Sequence, residues 1–487
     1  MSFQLKQEPS LEAKHTAFGY QQEAAEFVAG REYAAIFHEQ GLGKTKIAVD
    51  VILSWLATKQ VDTIIIFTKK ILVANWKREM QSHTHILPAV LGESSKENYY
   101  VLVAPSRLVL AHFEVAKKEM ARLKVWLKTR RVAAILDESA KIKNPGADLT
   151  QAFFELGPLF ARRVIMTGTP VANRPYDVWA QIYFLDQGKT LGTDFEQFKR
   201  ETDLTRELSE DPAAFQAFQK RLEEVRDSLS DISVRETKEG GRISLPRKEF
   251  NTVMTTWEPM QAELYNQVKD ELRATVMREG ELIEDEQESV LKRLLRLVQI
   301  ASNPYLVDES YEEEPGKVAV LRDLVTDIAR NDEKVIIWTS FNANCDYLAS
   351  QLASFGALTL HGKMPIERRN SVVKWFLENK NDRVLIATPG AAKEGLTLTV
   401  ANHVIFYDRG YSLDDYLQAQ DRIHRVSQTR TCYVTNLIMQ DSVDQWIDAL
   451  LDAKKLAAQL TQGDIDAQQY AERASLSFYE ILAGILN

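Results

Sequence analysis

The strongest constraint on the fold is a short stretch near the start of the chain. A small-residue apolar run, Ala34–Phe37, leads into Gly41-Leu42-Gly43-Lys44-Thr45, and an apolar-periodic stretch continues from Lys44 to Leu56. That order predicts a strand, a glycine-rich turn and a helix. Glycines let backbone N–H groups converge on one point, and the helix N-terminus adds partial positive charge there. Lys44 contributes a full charge to the outer phosphates and Thr45 a hydroxyl suited to magnesium. Gly41, Leu42, Gly43, Lys44 and Thr45 therefore read as a cradle for phosphate oxygens. His38 occupies the place, five residues before Gly43, where such loops usually carry glycine or alanine.

Further β-branched runs alternate with helical patterns on both sides of the chain. Strands are expected at Ala34–Phe37, Thr63–Phe67, Val101–Val103, Val132–Leu136 and Arg163–Met166, with helices such as Lys44–Leu56 and Leu72–Gln81 between them. A second series comprises Val335–Trp338, Leu358–Leu360, Val384–Ala387, His403–Tyr407 and Thr431–Asn436. Such alternation predicts an α/β fold with two parallel sheets in tandem. The expected divisions are 1–194, a charged helical block at 195–310, 311–458, and a helical tail at 459–487. In the tail Phe478, Tyr479, Ile481, Leu482 and Ile485 are at helical spacing. The acidic run Glu281–Glu288 reads as a solvated helix or loop.

At 487 residues the chain has room for two or three cores. It has no apolar run of membrane-spanning length and no signal-peptide pattern, so no membrane association is expected. Cys345 and Cys432 are too few for a zinc site built on several thiolates and are expected to be free core thiols. A net charge of −9 excludes a globally basic nucleic-acid binder but leaves local basic stripes open.

Two further groups extend the phosphate site. Asp137-Glu138 ends the apolar run Val132–Leu136, and a parallel sheet presents its ligand site at the C-terminal ends of its strands. Asp137 is expected to hold magnesium, and Glu138 to orient and deprotonate an attacking water. Arg422 and Arg425 lie three apart, which on a helix gives them one face. From a second domain they would serve as arginine fingers on the γ-phosphate.

In their order along the chain, these features resemble the Swi/Snf-related family of superfamily-two helicase-like ATPases, from about Phe18 to Leu456. Tyr20-Gln21 is similar to the family's adenine-reading motif. Thr68-Lys69 with Asn75-Trp76-Lys77-Arg78-Glu79 resembles motif Ia. Asp137-Glu138-Ser139-Ala140 with Lys143-Asn144-Pro145 resembles the carboxylate box and its signature sequel. Thr167-Gly168-Thr169-Pro170 with Asn173 is similar to motif III, and Ser302-Asn303-Pro304-Tyr305-Leu306 to the helical junction. His361-Gly362 with Arg369 and Phe376 matches the motif between the first strands of the second lobe. Gly395-Leu396-Thr397-Leu398-Thr399 followed by Val404–Asp408 resembles motif V, in a spelling like the branch that includes annealing helicases. Gln418, Arg422, His424, Arg425 and Gln428 match motif VI. There are departures: Ala140 replaces a histidine, Ala104-Pro105-Ser106 stands where Thr-x-Tyr is frequent, and motif V is one residue longer.

The resemblance implies two RecA-like lobes with helical insertions, ATP and Mg2+ as cofactors, and hydrolysis coupled to movement on nucleic acid. It adds Gly395 to the nucleotide site and Gln418 to the catalytic set with Glu138, Arg422 and Arg425. Gripping a phosphate backbone needs hydroxyls, amides and a few lysines. The candidates are Lys69 and Asn75 in the first lobe and Ser340, Lys363 and Thr388 in the second. The expected function is ATP-driven translocation on double-stranded DNA without strand separation. A strand-separating helicase subunit of restriction or defence type and an ATP-gated clamp stay open as alternatives. Little is visible beyond the motor, which suggests a bacterial, archaeal or viral protein, cytoplasmic and nucleoid-associated, working with separate protein partners.

Overall fold

The longest apolar, β-branched runs form the strands, because a strand covered on both faces must be apolar at nearly every position. The computed structural model describes residues 5, 7–171, 173–203, 211–240, 242, 245–279, 287–392, 396–425 and 427–473. The expected C-terminal tail beyond 473, most of the acidic run, and Gly395 lie outside them.

The chain divides into two compact units. The first comprises Met1–Asp203, Ala213–Ile243 and Ala457–Ala471, and the second is centred on Ser244–Leu456. In the first unit seven strands form one sheet: β1 (Tyr33–Ile36), β2 (Thr63–Thr68), β3 (Ala89–Leu91), β4 (Leu108–His112), β5 (Val132–Asp137), β6 (Arg162–Met166) and β7 (Ser233–Val234). Their order is β3-β4-β2-β5-β6-β1-β7, and every pairing is parallel. Alternate residues sort between the faces. Ile64, Ile66, Ala133 and Ile135 pack against helices α1 (Gly19–Ala29), α2 (Lys44–Ala57) and α3 (Val73–His83). On the other face Phe67 meets Phe153 edge-on at 5.0 Å, and Phe153 meets Phe184 at 5.9 Å.

The second unit holds β8 (Lys248–Thr255), β9 (Val335–Trp338), β10 (Ala357–Leu360), β11 (Val384–Ala387), β12 (His403–Phe406) and β13 (Cys432–Met439) in the order β10-β11-β9-β12-β13-β8. These pairings are parallel too. Ile336, Leu385 and Val404 belong to the core on one face, and Val335, Ile337, Ile386 and Ile405 to the core on the other. Cys345 and Cys432 are free and buried. The fully buried Lys317 forms an ion pair with Asp444 at 2.5 Å and donates to the Tyr407 carbonyl at 2.9 Å.

The α/β class and both parallel sheets are as expected, and three details are corrected. Val101–Val103 is not a strand but the end of helix α4 (Ser95–Val103). Asn98 and Leu102 are buried at helical spacing while Val103 is exposed, and Ser94 caps the helix by accepting from the Glu97 N–H. The strand there is β4, which begins after Ala104-Pro105-Ser106. The block 195–310, expected as helical protrusions and a junction, also carries strands. Its helix Pro212–Ser230, from Ala213 on, and β7 belong to the first unit, and β8 adds an edge strand to the second sheet. Finally, the helix ahead of the two motif VI arginines is Leu413–Gln420 and stops before them.

Candidate nucleotide site and neighbouring motifs

β1 is held between β6 and β7, with Ala34, Ala35 and Ile36 fully buried, so the loop that follows leaves a fixed point. Gly41 and Gly43 take positive φ, 86° and 73°. A side chain on Gly43 would also collide, since its Cβ would lie 2.3 Å from Gln21 Nε2. α2 starts at Lys44 with no side-chain cap, which leaves its first N–H groups directed at whatever the loop encloses. Lys44 Nζ folds over the loop and donates to the carbonyls of His38 (2.9 Å) and Glu39 (3.2 Å).

α1 braces this loop. Tyr20 Oη and Gln21 Nε2 both donate to the Leu42 carbonyl, at 3.0 and 3.3 Å, and the Phe18 N–H donates to Gln21 Oε1 at 3.0 Å. The polar ends of the expected adenine-reading pair thus hold the loop. His38, only 2% exposed, stacks on Tyr20 at 5.9 Å. Burial, then the positive charge of Lys44, lowers its pKa to about 4, so the imidazole is neutral at pH 7.

Asp137 ends β5. Its Oδ2 accepts from Thr68 Oγ1 at the end of β2 (3.0 Å) and from Trp76 Nε1 on α3 (2.6 Å). Burial, then the adjacent Glu138, pushes this carboxyl above the ordinary aspartate range, while the hydrogen bonds from Trp76 and Thr68, and after them the charge of Lys44, pull it back. Glu138 adopts left-handed backbone, φ 61° and ψ 54°, an uncommon conformation for a side-chain-bearing residue and one found at functional sites. Gln40, from the phosphate loop, donates to Glu138 Oε1 at 3.2 Å. Loop and carboxylate pair therefore form one constellation. The holding roles of Thr68, Trp76 and Gln40 had no local sequence signal, because their partners are 69, 61 and 98 residues away.

In the second unit Gln418 donates to Asp414 Oδ1 at 2.7 Å. Arg422 and Arg425 lie in the turn after their helix rather than on one helical face, because buried Ile423 draws the chain into the core. Arg422 is 5% exposed and donates to the Leu396 carbonyl at 3.4 Å. Arg425 is less covered, and donates to the Asp421 carbonyl (2.9 Å) and Thr397 Oγ1 (2.8 Å). Gln428 fastens the turn to the carbonyls of Thr399, Ala401 and Ile423.

The expected backbone-gripping residues lie near the C-terminal edges of the sheets, each within its own unit. Lys69 follows β2 and is partly exposed, as is Asn75 on α3, whose Oδ1 accepts from Arg78 at 3.3 Å. Ser340 follows β9 and Lys363 follows β10, both exposed. Thr388, directly after β11, is 7% exposed, and its N–H donates to the Leu360 carbonyl at 3.1 Å. The displaced strand also hid the junction of β4 with the helix Phe113–Lys118, where His112 meets Glu114 at 3.1 Å and Glu114 meets Lys141 at 3.4 Å.

Comparison with known proteins agrees with this arrangement. The model of the SNF2-related domain matches residues 20–306, and that of the helicase conserved C-terminal domain matches residues 316–427. The putative ATP-dependent helicase/translocase YwqA of Bacillus subtilis is 27% identical over 471 residues, covering 91% of this chain and 49% of that protein. The DNA repair and recombination protein RAD54-like of Gallus gallus is 24% identical over 498 residues, covering 92% of this chain and 66% of that protein. An uncharacterized ATP-dependent helicase of Mycoplasma pneumoniae is 26% identical, covering 88% of this chain and 40% of that protein. The chain thus spans less than half the length of several curated relatives that it matches. The solved Sulfolobus solfataricus SWI2/SNF2 ATPase core in complex with dsDNA is 22% identical, covers 97% of this chain and 99% of that one, and has a TM-score of 0.43. With a family model matching more than half of its residues, this chain belongs to the SNF2-related family.

Proposed function

We propose that this chain hydrolyses ATP at the phosphate loop of its first unit and uses the cycle to move along double-stranded DNA without separating its strands. The observation that carries the hydrolytic part is the hydrogen bond from Gln40, on the phosphate loop, to Glu138. A phosphate cradle and a pair of carboxylates in such proximity form a nucleotide-hydrolysing constellation.

The residues present suit magnesium. Asp137 and Glu138 bring two adjacent carboxyls together, and burial followed by the charge of Glu138 raises the Asp137 pKa, an effect a divalent ion would oppose. Asp137 and Thr45 would hold it, and when bound it neutralises charge on phosphate oxygens. Lys44 and the α2 N-terminus bind the outer phosphates. Glu138 orients the water and takes its proton, and Gln40 fixes the carboxylate for that task. By their resemblance to motif VI, Arg422 and Arg425 are proposed to meet the charge that develops on the transferred phosphoryl group, with Gln418 in the same set. Gly395 is assigned to the nucleotide by its motif alone.

The DNA part of the reading is supported by relatives named as helicase/translocase and as DNA repair and recombination proteins. Lys69, Asn75, Ser340, Lys363 and Thr388 are proposed to hold a strand's phosphates through hydroxyls, amides and point charges, contacts that carry no sequence preference. Protein partners, and work at the nucleoid, belong to the same proposal. Displacement of a labelled third strand from a triplex tests it. ATP-dependent release by the wild type, absent in Glu138→Gln, supports tracking on the duplex. Duplex-stimulated hydrolysis without release supports a clamp instead, and unwinding of a plain duplex supports the strand-separating reading.

A further inference from the structure

We infer that the carboxylate box of this chain is yoked to the Thr167–Pro170 loop through Gln181, a buried positioning residue. The inference rests on the ATPase reading above and assigns the coupling within that site. Ala140, third after Asp137, has no side chain able to bridge the two segments, so any link must come from elsewhere.

Ser139 Oγ donates to Gln181 Oε1 at 2.7 Å, and both residues are fully buried. The other end of the same amide donates twice, from Nε2 to the Pro170 carbonyl and to the Asp177 carbonyl, each at 2.8 Å. Asp177 in turn gathers the segment after Pro170. Its Oδ2 accepts from the N–H groups of Asn173 (2.8 Å) and Arg174 (3.3 Å) and from Lys143 Nζ (3.1 Å). One buried amide thus ties together the box, the end of the loop and the turn that follows. Each of its bonds is directional and has no water to replace it, so its orientation is fixed and a movement of either segment is felt by the other.

The position of Ser139 gives the link its consequence. Ser139 directly follows Glu138, whose left-handed backbone needs support from the residues around it. Gln40 provides a second contact on the other side. It donates to Glu138, and Gly168 packs so closely on it that a Cβ at 168 would lie 2.9 Å from Gln40 Cγ and 3.0 Å from its backbone nitrogen. A shift of the loop at Gly168 therefore bears on Gln40, and a shift at Pro170 bears on Ser139, with Glu138 between them.

A double-mutant cycle on the full chain tests the yoke. Ser139→Ala removes the link and leaves both donations from Gln181 in place, and Gln181→Met removes the amide at similar volume. Each single variant is expected to lower kcat about tenfold with the KM for ATP unchanged, the loss of one buried hydrogen bond in the working state. The double variant is expected to be no slower than the worse single one, because both cut the same link. Independent, multiplying effects would overturn the yoke, as would lower melting temperatures with normal kcat. If Gln181→Met fails to fold, Ser139→Ala carries the test alone. Hydrogen exchange separates this inference from the function it rests on. If the wild type shows no ATPase, that function falls, yet the yoke still predicts faster exchange at Thr167, Gly168 and Thr169 in ligand-free Ser139→Ala. Unchanged exchange there would refute it.

Discussion

At the scale of single residues, the site depends on a few side chains whose environments differ from solution. Gly43 is the sharpest case. Alanine there meets both a left-handed backbone, which costs about 1–2 kcal/mol, and the amide of Gln21 at 2.3 Å. Gly43→Ala is expected to abolish nucleotide binding in a fluorescent-analogue titration. His38 makes a pH prediction. Its folded pKa, about 4, is below the ordinary 6.5, so between these values the unfolded chain binds the extra proton. Stability is then complete above pH 6.5 and is lost as pH falls towards 4, by about 3 kcal/mol at most. His38→Phe, which keeps the stacking on Tyr20, should flatten that acid limb in chemical denaturation followed from pH 7 to pH 4. An unchanged limb would assign it to carboxylates instead.

At the scale of elements, Asp137 is set by three pieces of chain: β5 carries it, while β2 and α3 each donate one hydrogen bond to it. Thr68→Val and Trp76→Phe are expected to raise the magnesium concentration needed for half-maximal ATPase, with smaller effects on overall stability. Shifts confined to melting temperature would make both bonds purely structural. In the second unit, Lys317→Met strands Asp444 without its buried partner. It should cost about 3–5 kcal/mol, read from the urea midpoint. Elements buried on both faces were the ones legible in the sequence. β2, β5, β9 and β11 are apolar at nearly every position, and their boundaries fall within a residue or two of those expected. What escaped was less apolar or only half covered. β8 presents Phe250 and Met254 to the surface, so its pattern does not mark an interior strand. The Val101–Val103 run looks like a strand until the burial of Asn98 and Leu102 shows the helical period. The arginines at 422 and 425 kept their motif but lost their helix, because Ile423 between them is a core residue.

At the scale of the whole molecule, the chain is two α/β units of the SNF2-related family, each a parallel sheet between helical layers. The chemistry-bearing residues of the first unit gather near the C-terminal ends of β1, β2, β5 and β6, as the crossover rule for parallel sheets requires. Residues of separate motifs therefore meet at one end of the first sheet. The links across that site were not legible in the sequence, since the bonds from Gln40 to Glu138, Trp76 to Asp137 and Ser139 to Gln181 join residues 98, 61 and 42 apart. The central claim is that nucleotide hydrolysis at this site is driven by DNA. The most direct test is the ATPase rate of the wild type without nucleic acid and with duplex DNA, single-stranded DNA or RNA, against Glu138→Gln as the blank. Duplex DNA is expected to stimulate the rate strongly, and Glu138→Gln to lower it by roughly a hundredfold or more. A rate that no nucleic acid changes, or that survives in Glu138→Gln, would contradict that claim.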